Sequence, residues 1–351
     1  MKKIICLALI VCMTLCGCSW MEGEYHSVTP HAGEGIPQSQ DGIVVTSYLQ
    51  IREALQEMVN AGATEAVLYA TQINPEMVEQ YMQTAVTHLH KNTAIGAYAL
   101  REITYEIGTQ AEHYAVAVDI DYVHGRQEIM RIKSAPDMKR LKNRVNEALN
   151  TCSNTLVVKV DQYEELDLVQ YVQDFVDRNS HICMEMPQTS VMVYPESGAE
   201  RIIEMSFTYE TSRDTLRSMQ ESVAPIFSAA KLYVQGSEND LQKYSQLCSF
   251  LIERFEYQYE TSITPTYSLL RYGVGDCKAF ARVYSNMCQN AGLQCSVVSG
   301  TRNGEAWYWN QIKIDDVYYH VDLLANTETG EFTPRLSEEM SGYVWDYSMY
   351  P

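Results

Sequence analysis

Residues 273–281 read GVGDCKAFA, and this stretch decides the fold of the C-terminal part of the chain. Gly273 and Gly275 permit a tight turn, and the residues after them predict a helix that begins at Cys277. The apolar residues of this helix recur at helical spacing: Phe280, Val283, Tyr284 and Met287. A thiol at a helix N-terminus lies near unpaired N–H groups and the positive end of the helix dipole, so we expect Cys277 to favour the thiolate.

Three strands are predicted after this helix. The first two are CSVVSG at 295–300 and AWYWNQIKI at 306–314, and after a turn at Asp315 and Asp316 the third is VYYHVDLL at 317–324. Val, Ile, Tyr and Trp dominate these runs and favour extended structure. The pattern therefore predicts one helix followed by three consecutive strands.

These segments resemble the transglutaminase-like superfamily, a branch of the papain-like thiol enzymes. In that family a Gly-rich turn precedes a nucleophilic Cys, a strand carries His-Ala-Trp-Asn, and the return strand ends in aromatic-Tyr-x-Val-Asp. The chain matches with GVGDC, with WNQIKID at 309–315 and with YYHVD at 318–322, over about 235–325. The resemblance implies a papain-like fold with the Cys helix packed on an antiparallel sheet. It also implies Cys277 as nucleophile and Asp322 as the acid that orients the base.

The position of the family's catalytic base holds no histidine in this chain. Counting back from Trp309 places Trp307 there, and a two-residue insertion would place Glu305 there instead. Indole has no basic lone pair to accept the thiol proton. A carboxylate near Cys277 would raise the pKa of the thiol rather than lower it.

Three interpretations of the missing base stay open. His320 lies two residues before Asp322, so both side chains share one strand face about 6–7 Å apart, and His320 could serve as the base. A different catalytic geometry is the second interpretation, and loss of thiol catalysis is the third. Trp307, Trp309 and Asn310 are assigned to the cleft of the former active site, where the indole-rich strand face fills core or cleft or, alternatively, stacks on a ligand.

The region before this domain contains an apparent duplication. VEQYMQTAV at 78–86 and LVQYVQDFV at 168–176 place apolar residues at the same helical spacing, at an offset of 90. We therefore predict two repeated α/β units at 46–134 and 136–220, each built as helix, strand, helix and strand pair. Their expected role is packing, spacing or partner binding. Two further pairs correspond at an offset of 87: Tyr122 with Tyr209, and Arg126 with Arg213.

The N-terminus predicts export and a lipid anchor. Two lysines precede the apolar run IICLALIVCMTL at 4–15, which is too short to span a bilayer but fits a secretory signal. The following Leu-Cys-Gly-Cys resembles the bacterial lipoprotein signal, which implies that Cys18 is lipidated and becomes the first residue. We expect a signal peptide at 1–17 and a flexible tether at 18–45, which is rich in Pro and Gly.

The composition of the chain argues against some classes of binding partner. The chain has 351 residues and a formal net charge of −19. An acidic surface repels phosphate backbones, so we predict no nucleic-acid partner. The ten cysteines show no zinc-binding spacing, and we predict neither a metal nor a cofactor.

Together these features predict an α+β lipoprotein that is anchored outside the cytoplasm to the bacterial cell membrane. It contains the two α/β units and a transglutaminase-like domain at 235–351 that has lost catalysis. As a pseudoenzyme, this domain would bind an envelope protein or peptide. One alternative is an active thiol protease, amidase or transglutaminase-type enzyme that uses Cys277, His320 and Asp322. A third interpretation is a receptor for a soluble ligand whose cleft is the former active site.

Overall fold

The protein is described by a computed structural model that covers 38–39, 42–110, 113–259, 262–329 and 331–350. The expected signal peptide, Cys18 and most of the expected tether lie outside these residues. Within the covered ranges, no helix is long and apolar enough to cross a membrane. The chain forms three successive regions, each organised around one main sheet.

The first region is a five-stranded sheet with three helices. The strands are β1 (Gln38–Ser39), β2 (Gly42–Val45), β3 (Glu65–Ala70), β4 (Leu100–Gln110) and β5 (His113–Tyr122). The helices are α1 (Tyr48–Ala61), α2 (Pro75–Asn92) and α3 (Ala94–Ala99). The strand order is β1-β2-β3-β5-β4, with β2 parallel to β3 and all other pairs antiparallel. The apolar faces of α1 and α2 share one core with the sheet, as their helical spacing of apolar residues predicts.

The end of the expected tether belongs to this sheet. Strand β2 places Ile43 opposite Leu68 of β3, and Val45 is fully buried. Burial stabilises apolar side chains by about 25 cal/mol per Å² of area removed from water, so the sequence GIVV is more stable in the sheet than in solvent. Strand β1 pairs with β2 in the same sheet, so the expected tether boundary at residue 45 is corrected to a position before Gln38.

The second region has a similar order of elements, but it begins with a short helix and has no counterpart of β1 or α3. Its helices are α4 (Arg126–Ile129), α5 (Met138–Asn150) and α6 (Leu168–Arg178). Its strands are β6 (Lys133–Ala135), β7 (Thr155–Val160), β8 (Gln188–Tyr194) and β9 (Arg201–Thr208). The strand order is β6-β7-β9-β8, with β6 parallel to β7 and the other pairs antiparallel. Both regions thus contain a short parallel strand before the first long helix, which the sequence analysis did not predict.

The third region contains long helices and a four-stranded sheet. The helical elements are α7 (Arg213–Tyr233), α8 (Asp240–Ile252), α9 (Pro265–Tyr267) with a following π-helical turn (Ser268–Tyr272), α10 (Cys277–Asn290), α11 (Leu323–Thr329) and a 3₁₀ turn (Ser337–Glu339). The strands are β10 (Glu256–Tyr257), β11 (Val274–Gly275), β12 (Cys295–Arg302), β13 (Glu305–Ile314), β14 (Val317–Val321) and β15 (Tyr343–Trp345). The main sheet is antiparallel with the order β14-β13-β12-β15, and β10 pairs in parallel with β11.

Helix α10 is the central element of the third region. Its N-cap is Asp276, whose carboxylate accepts a hydrogen bond from the N–H of Ala279 at 2.8 Å. Every residue from Ala279 to Cys288 is buried, because α8 and the sheet pack around the helix in one core. Asn310 of β13 donates its side-chain amide to the carbonyl oxygen of Ala281 at 2.8 Å and ties the sheet to the helix.

The second and third regions share this hydrophobic core. Cys152 and Met184 of the second region pack in the same cluster as Phe280 of α10. The buried guanidinium of Arg282 on α10 also forms an ion pair with Asp177 of α6. Helix α10 is therefore held from both sides, by its own sheet and by the second region.

Candidate functional site

Cys277 is the first residue of α10, and the two glycines before it shape the approach of the chain. Gly273 has a φ of 85°, a backbone conformation that L side chains rarely adopt. A Cβ at Gly275 would lie 3.0 Å from that of Ala279 and 3.2 Å from that of Leu269. The GVGDC sequence is therefore needed for a turn that delivers a half-buried thiol to the start of the helix.

The Cys277 thiol lies near strand β13, and the backbone N–H groups of Tyr308 and Lys278 act to lower its pKa. Burial raises the pKa of Cys277 to about 11, and the carboxylates of Asp276 and Asp322 act in the same direction. A helix N-terminus is worth about 0.3–1 kcal/mol to a nearby charge, which is less than one pKa unit. The N–H groups near the helix end still favour the thiolate, but burial outweighs them and the net pKa of Cys277 is raised, against our expectation.

Trp307 lies beside Asp322, at the place where the resemblance expects the base. Its indole Nε1 donates a hydrogen bond of 2.8 Å to Oδ2 of Asp322. Glu305, the other candidate, is exposed at the start of β13 and lies opposite Arg302 of β12. Of the two residues that the sequence left open, Trp307 is the one that contacts the orienting acid.

Asp322 is 6% exposed, and both of its carboxylate oxygens have donors. The Oδ2 atom also accepts a hydrogen bond from the Tyr343 hydroxyl at 2.7 Å, and it lies 3.5 Å from the Arg302 guanidinium. The Oδ1 atom accepts hydrogen bonds from the backbone N–H groups of Leu324 and Ala325 at 3.0 and 3.3 Å. Sequence reasoning missed Tyr343 and Arg302, because strands β15 and β12 bring them to Asp322 only in the folded sheet.

The Trp307 indole forms one wall of the site. The Tyr257 ring lies 5.8 Å from it between ring centroids, at an interplanar angle of 50°. The Arg302 guanidinium lies 5.3 Å from the indole centroid, within the range of a cation–π contact. The half-buried indole is therefore held by an acid, a cation and a second aromatic ring.

His320 makes its contacts away from the thiol. Its Nδ1 accepts a hydrogen bond from the Trp309 indole at 3.0 Å, and its Nε2 lies 3.2 Å from the Ser337 hydroxyl. The side chain is fully buried, and burial lowers the pKa of His320 to about 4. Residue spacing predicts that His320 and Asp322 share one strand face. In the structure, however, both ring nitrogens of His320 contact residues of the aromatic packing, Trp309 and Ser337, and not the thiol.

Trp309 and Asn310 are buried rather than exposed in a cleft. The Trp309 ring packs edge-on against Tyr343 and Trp345, with centroid distances of 5.2 and 5.7 Å. Asn310 belongs to β13, and its side chain is fully buried against α10. The cleft assignment is therefore corrected for both residues, because their strand neighbours and α10 cover them. Trp307 alone of the three is half-buried beside the thiol.

The arrangement brings together a thiol, an indole N–H and a carboxylate. The indole is a hydrogen-bond donor only, so it does not accept the thiol proton. The carboxylate is already bonded to Trp307, Tyr343 and two backbone N–H groups. Within the described ranges, no group of three or more His, Cys, Asp or Glu side chains is placed to hold a metal ion.

Residues 228–323 match the family model of the Transglutaminase-like superfamily. The chain therefore carries a transglutaminase-like domain that includes Cys277, Trp307 and Asp322, as the resemblance predicted. The superfamily contains both proteases and transglutaminases. No curated protein matches the chain.

A search of solved structures also found chains that are similar to this one. A transglutaminase structure is 12% identical, with 59% of this chain and 62% of that chain covered at a TM-score of 0.29. A candidate cysteine protease from Cytophaga hutchinsonii is 11% identical, with coverage of 45% and 70% and a TM-score of 0.28. A candidate protease from Parabacteroides distasonis is 8% identical, with coverage of 61% and 47% and a TM-score of 0.25. The chain thus spans less than two thirds of the length of the first and third of these structures.

Proposed function

We propose that the chain is a membrane-anchored extracytoplasmic lipoprotein whose transglutaminase-like domain binds an envelope protein or peptide without thiol catalysis. The observation that carries this proposal is the 2.8 Å hydrogen bond from Trp307 Nε1 to Asp322 Oδ2. It places an indole where the family resemblance expects the base. Cys277 and Asp322 stand at the nucleophile and acid positions of the family. The proton acceptor expected between them is replaced by Trp307.

The chemistry of the site supports a domain without thiol catalysis. Attack by a cysteine needs a group that removes the thiol proton and later protonates the leaving amine. With a pKa of about 11, only about one Cys277 thiol in ten thousand is ionised at pH 7. General acid–base catalysis is worth about 10²–10⁴-fold, and the indole of Trp307 supplies none of it.

An active thiol enzyme that uses Cys277, His320 and Asp322 is the rival function. It would require the imidazole to leave Trp309 and Ser337 and to approach the thiol. A low pKa also makes His320 a weak base at neutral pH. The rival therefore needs a rearrangement of a fully buried side chain.

Turnover that depends on Cys277 separates the two functions. The full chain is incubated with labelled peptides and with primary-amine acceptors, and amide cleavage and transamidation are followed by mass spectrometry. We expect the same background for the natural chain and for Cys277→Ala, together with equal peptide binding by both. Turnover that vanishes in Cys277→Ala would overturn the non-catalytic proposal.

The lipid anchor is proposed from the sequence before the described residues. A 12-residue apolar run followed by Leu-Cys-Gly-Cys supports lipidation of Cys18. The native N-terminal peptide, isolated from the producing cells, is expected to carry a diacyl or triacyl mass increment on Cys18. A free N-terminus at another residue would contradict the anchor.

We further infer that the first two regions are copies of one unit and hold the domain away from the membrane. The parallel strand pairs support this, because Ile43 lies opposite Leu68 and Lys133 lies opposite Val158, each pair shifted by 90 residues. The antiparallel pairs of β3 with β5 and of β7 with β9 also correspond, at offsets of 90 and 87. A slip of one residue reverses the faces of a strand, so matching registers favour a common origin.

A further inference from the structure

A groove lies where the second region meets the two helices α7 and α10. Its volume is about 540 Å³, which falls within the range of about 300–1,000 Å³ that is typical of ligand pockets. The lining residues of α7 span positions 220 to 231. At a rise of 1.5 Å per residue, this helical wall is about 16 Å long.

The floor of the groove is apolar and aromatic. Phe227 of α7 is 4% exposed, and the His181 ring packs edge-on against it with 5.7 Å between centroids. Ile182 lies beside them in the turn after α6. Asn286 of α10 hydrogen-bonds to Nδ1 of His181 and holds this ring in place. The floor is therefore preformed rather than assembled by a ligand.

The rim of the groove carries three polar side chains. The carboxylate of Glu221, the ammonium of Lys231 and the amide of Asn290 line the groove. Glu221 and Lys231 are exposed, and among the described residues none of the three side chains has a hydrogen-bond or ion-pair partner. Glu221 and Lys231 are ten residues apart on α7, so their Cα atoms are separated by about 15 Å along the helix axis.

We propose that this groove binds a short peptide with free termini, three or four residues long. Its ammonium group would pair with Glu221, its carboxylate with Lys231, and an apolar side chain would lie on Phe227. An extended peptide spans about 3.3–3.6 Å per residue, so four residues cover about 13 Å between the two charges. The Asn290 amide on the same rim can bond to the peptide backbone. The inference rests on the proposed peptide-binding function and names a site for it away from Cys277.

Calorimetric titration tests the groove with two probes, the free tetrapeptide Ala-Leu-Ala-Ala and its N-acetylated, C-amidated form. We expect the free peptide to bind at least about tenfold more tightly, because charge-assisted hydrogen bonds form only with free termini. Glu221→Gln and Lys231→Gln should each weaken the free peptide by about fivefold or more and leave the blocked peptide unchanged. Lys139→Gln, at an exposed lysine of α5 away from the groove, is the matched control and should change neither affinity.

Equal affinities for the two peptides, unchanged affinities in both groove variants, or no binding of either peptide would overturn the groove site. If binding is lost in Tyr257→Ala but kept in both groove variants, the peptide binds at the Cys277 site instead. That result would reject the groove and leave the binding function intact. Cleavage of the peptide that depends on Cys277 would reject the non-catalytic function, and the groove is then tested in Cys277→Ala.

Discussion

The indole Nε1 of Trp307 lies 2.8 Å from Oδ2 of Asp322 and donates a hydrogen bond to it. A histidine at this place would use one ring N–H for the same contact and keep its second nitrogen for the thiol. The indole has only the N–H, so the acid remains satisfied while the thiol has no base. Under the proposed function, Asp322 keeps this contact while Trp307 offers the thiol no proton acceptor.

Trp307→His is expected to return a proton acceptor to the site. The new imidazole would lie between Asp322 and the thiol that rests beside Tyr308, and a thiolate–imidazolium pair would lower the pKa of Cys277. If the pKa of Cys277 falls by about two, the rate of its alkylation by iodoacetamide at pH 7 should rise by about 100-fold. Peptide mass spectrometry of Cys277 over time measures this rate.

Trp307→Phe is the matched control for that experiment. It keeps an aromatic ring, although a smaller one, and removes the N–H without adding a base. We expect an unchanged alkylation rate and a free energy of unfolding that is lower by about 1–2 kcal/mol, because Asp322 loses one donor. If both variants accelerate alkylation equally, the gain comes from exposure of the thiol and the interpretation of Trp307 is wrong.

The pH profile of the natural thiol is expected to follow a single ionisation. Since the pKa of Cys277 is about 11, the logarithm of the alkylation rate should rise with a slope near one from pH 7 to pH 10. His320→Ala should leave this slope unchanged, because the His320 ring bonds to Trp309 and Ser337. A plateau between pH 5 and pH 7 that disappears in His320→Ala would identify His320 as the base.

His320 is expected to make the fold sensitive to mild acid. Its pKa is about 4 in the folded protein and about 6.5 when unfolded, so the unfolded chain binds the extra proton between these values. Stability is then complete above pH 6.5 and is lost as the pH falls, by about 2 kcal/mol at pH 5. Denaturant unfolding at pH 8 and pH 5 measures the difference.

His320→Gln is the control for this acid sensitivity, because it removes the titrating ring. The variant should be less stable at pH 8 but should lose about 2 kcal/mol less than the natural chain between pH 8 and pH 5. Carboxylates contribute to both proteins alike over this range. The same loss in both would show that His320 does not cause the acid sensitivity.

Removing one partner of the ion pair between Arg282 and Asp177 is expected to lower the free energy of unfolding, mainly because the remaining charge is left unpaired. Arg282 is 4% exposed, and its Nε has no partner among the described groups. Asp177→Asn should therefore lower the free energy of unfolding by about 2–3 kcal/mol, since a buried guanidinium loses its counter-charge. Arg282→Met should cost less, because it removes the buried charge itself. A larger loss in Arg282→Met would contradict this reasoning.

The helix that begins at Cys277 could be predicted because its signals are local. Two glycines and apolar residues at helical spacing all lie within 15 residues of each other. The strand β15 could not be predicted in this way, because three residues are too short to show an alternating pattern. Its contribution to the site, the Tyr343 hydroxyl on Asp322, was missed for the same reason.

By itself, the sequence determined that Cys277 and Asp322 lie in the family order and that no histidine occupies either position open to the base. The tertiary structure alone decided that Trp307 and not Glu305 contacts Asp322, and that the His320 ring bonds to Trp309. The spacing of residues records which side chains share a strand face. Which of them touch depends on the register of neighbouring strands and on side-chain packing in the core, and both are properties of the assembled sheet.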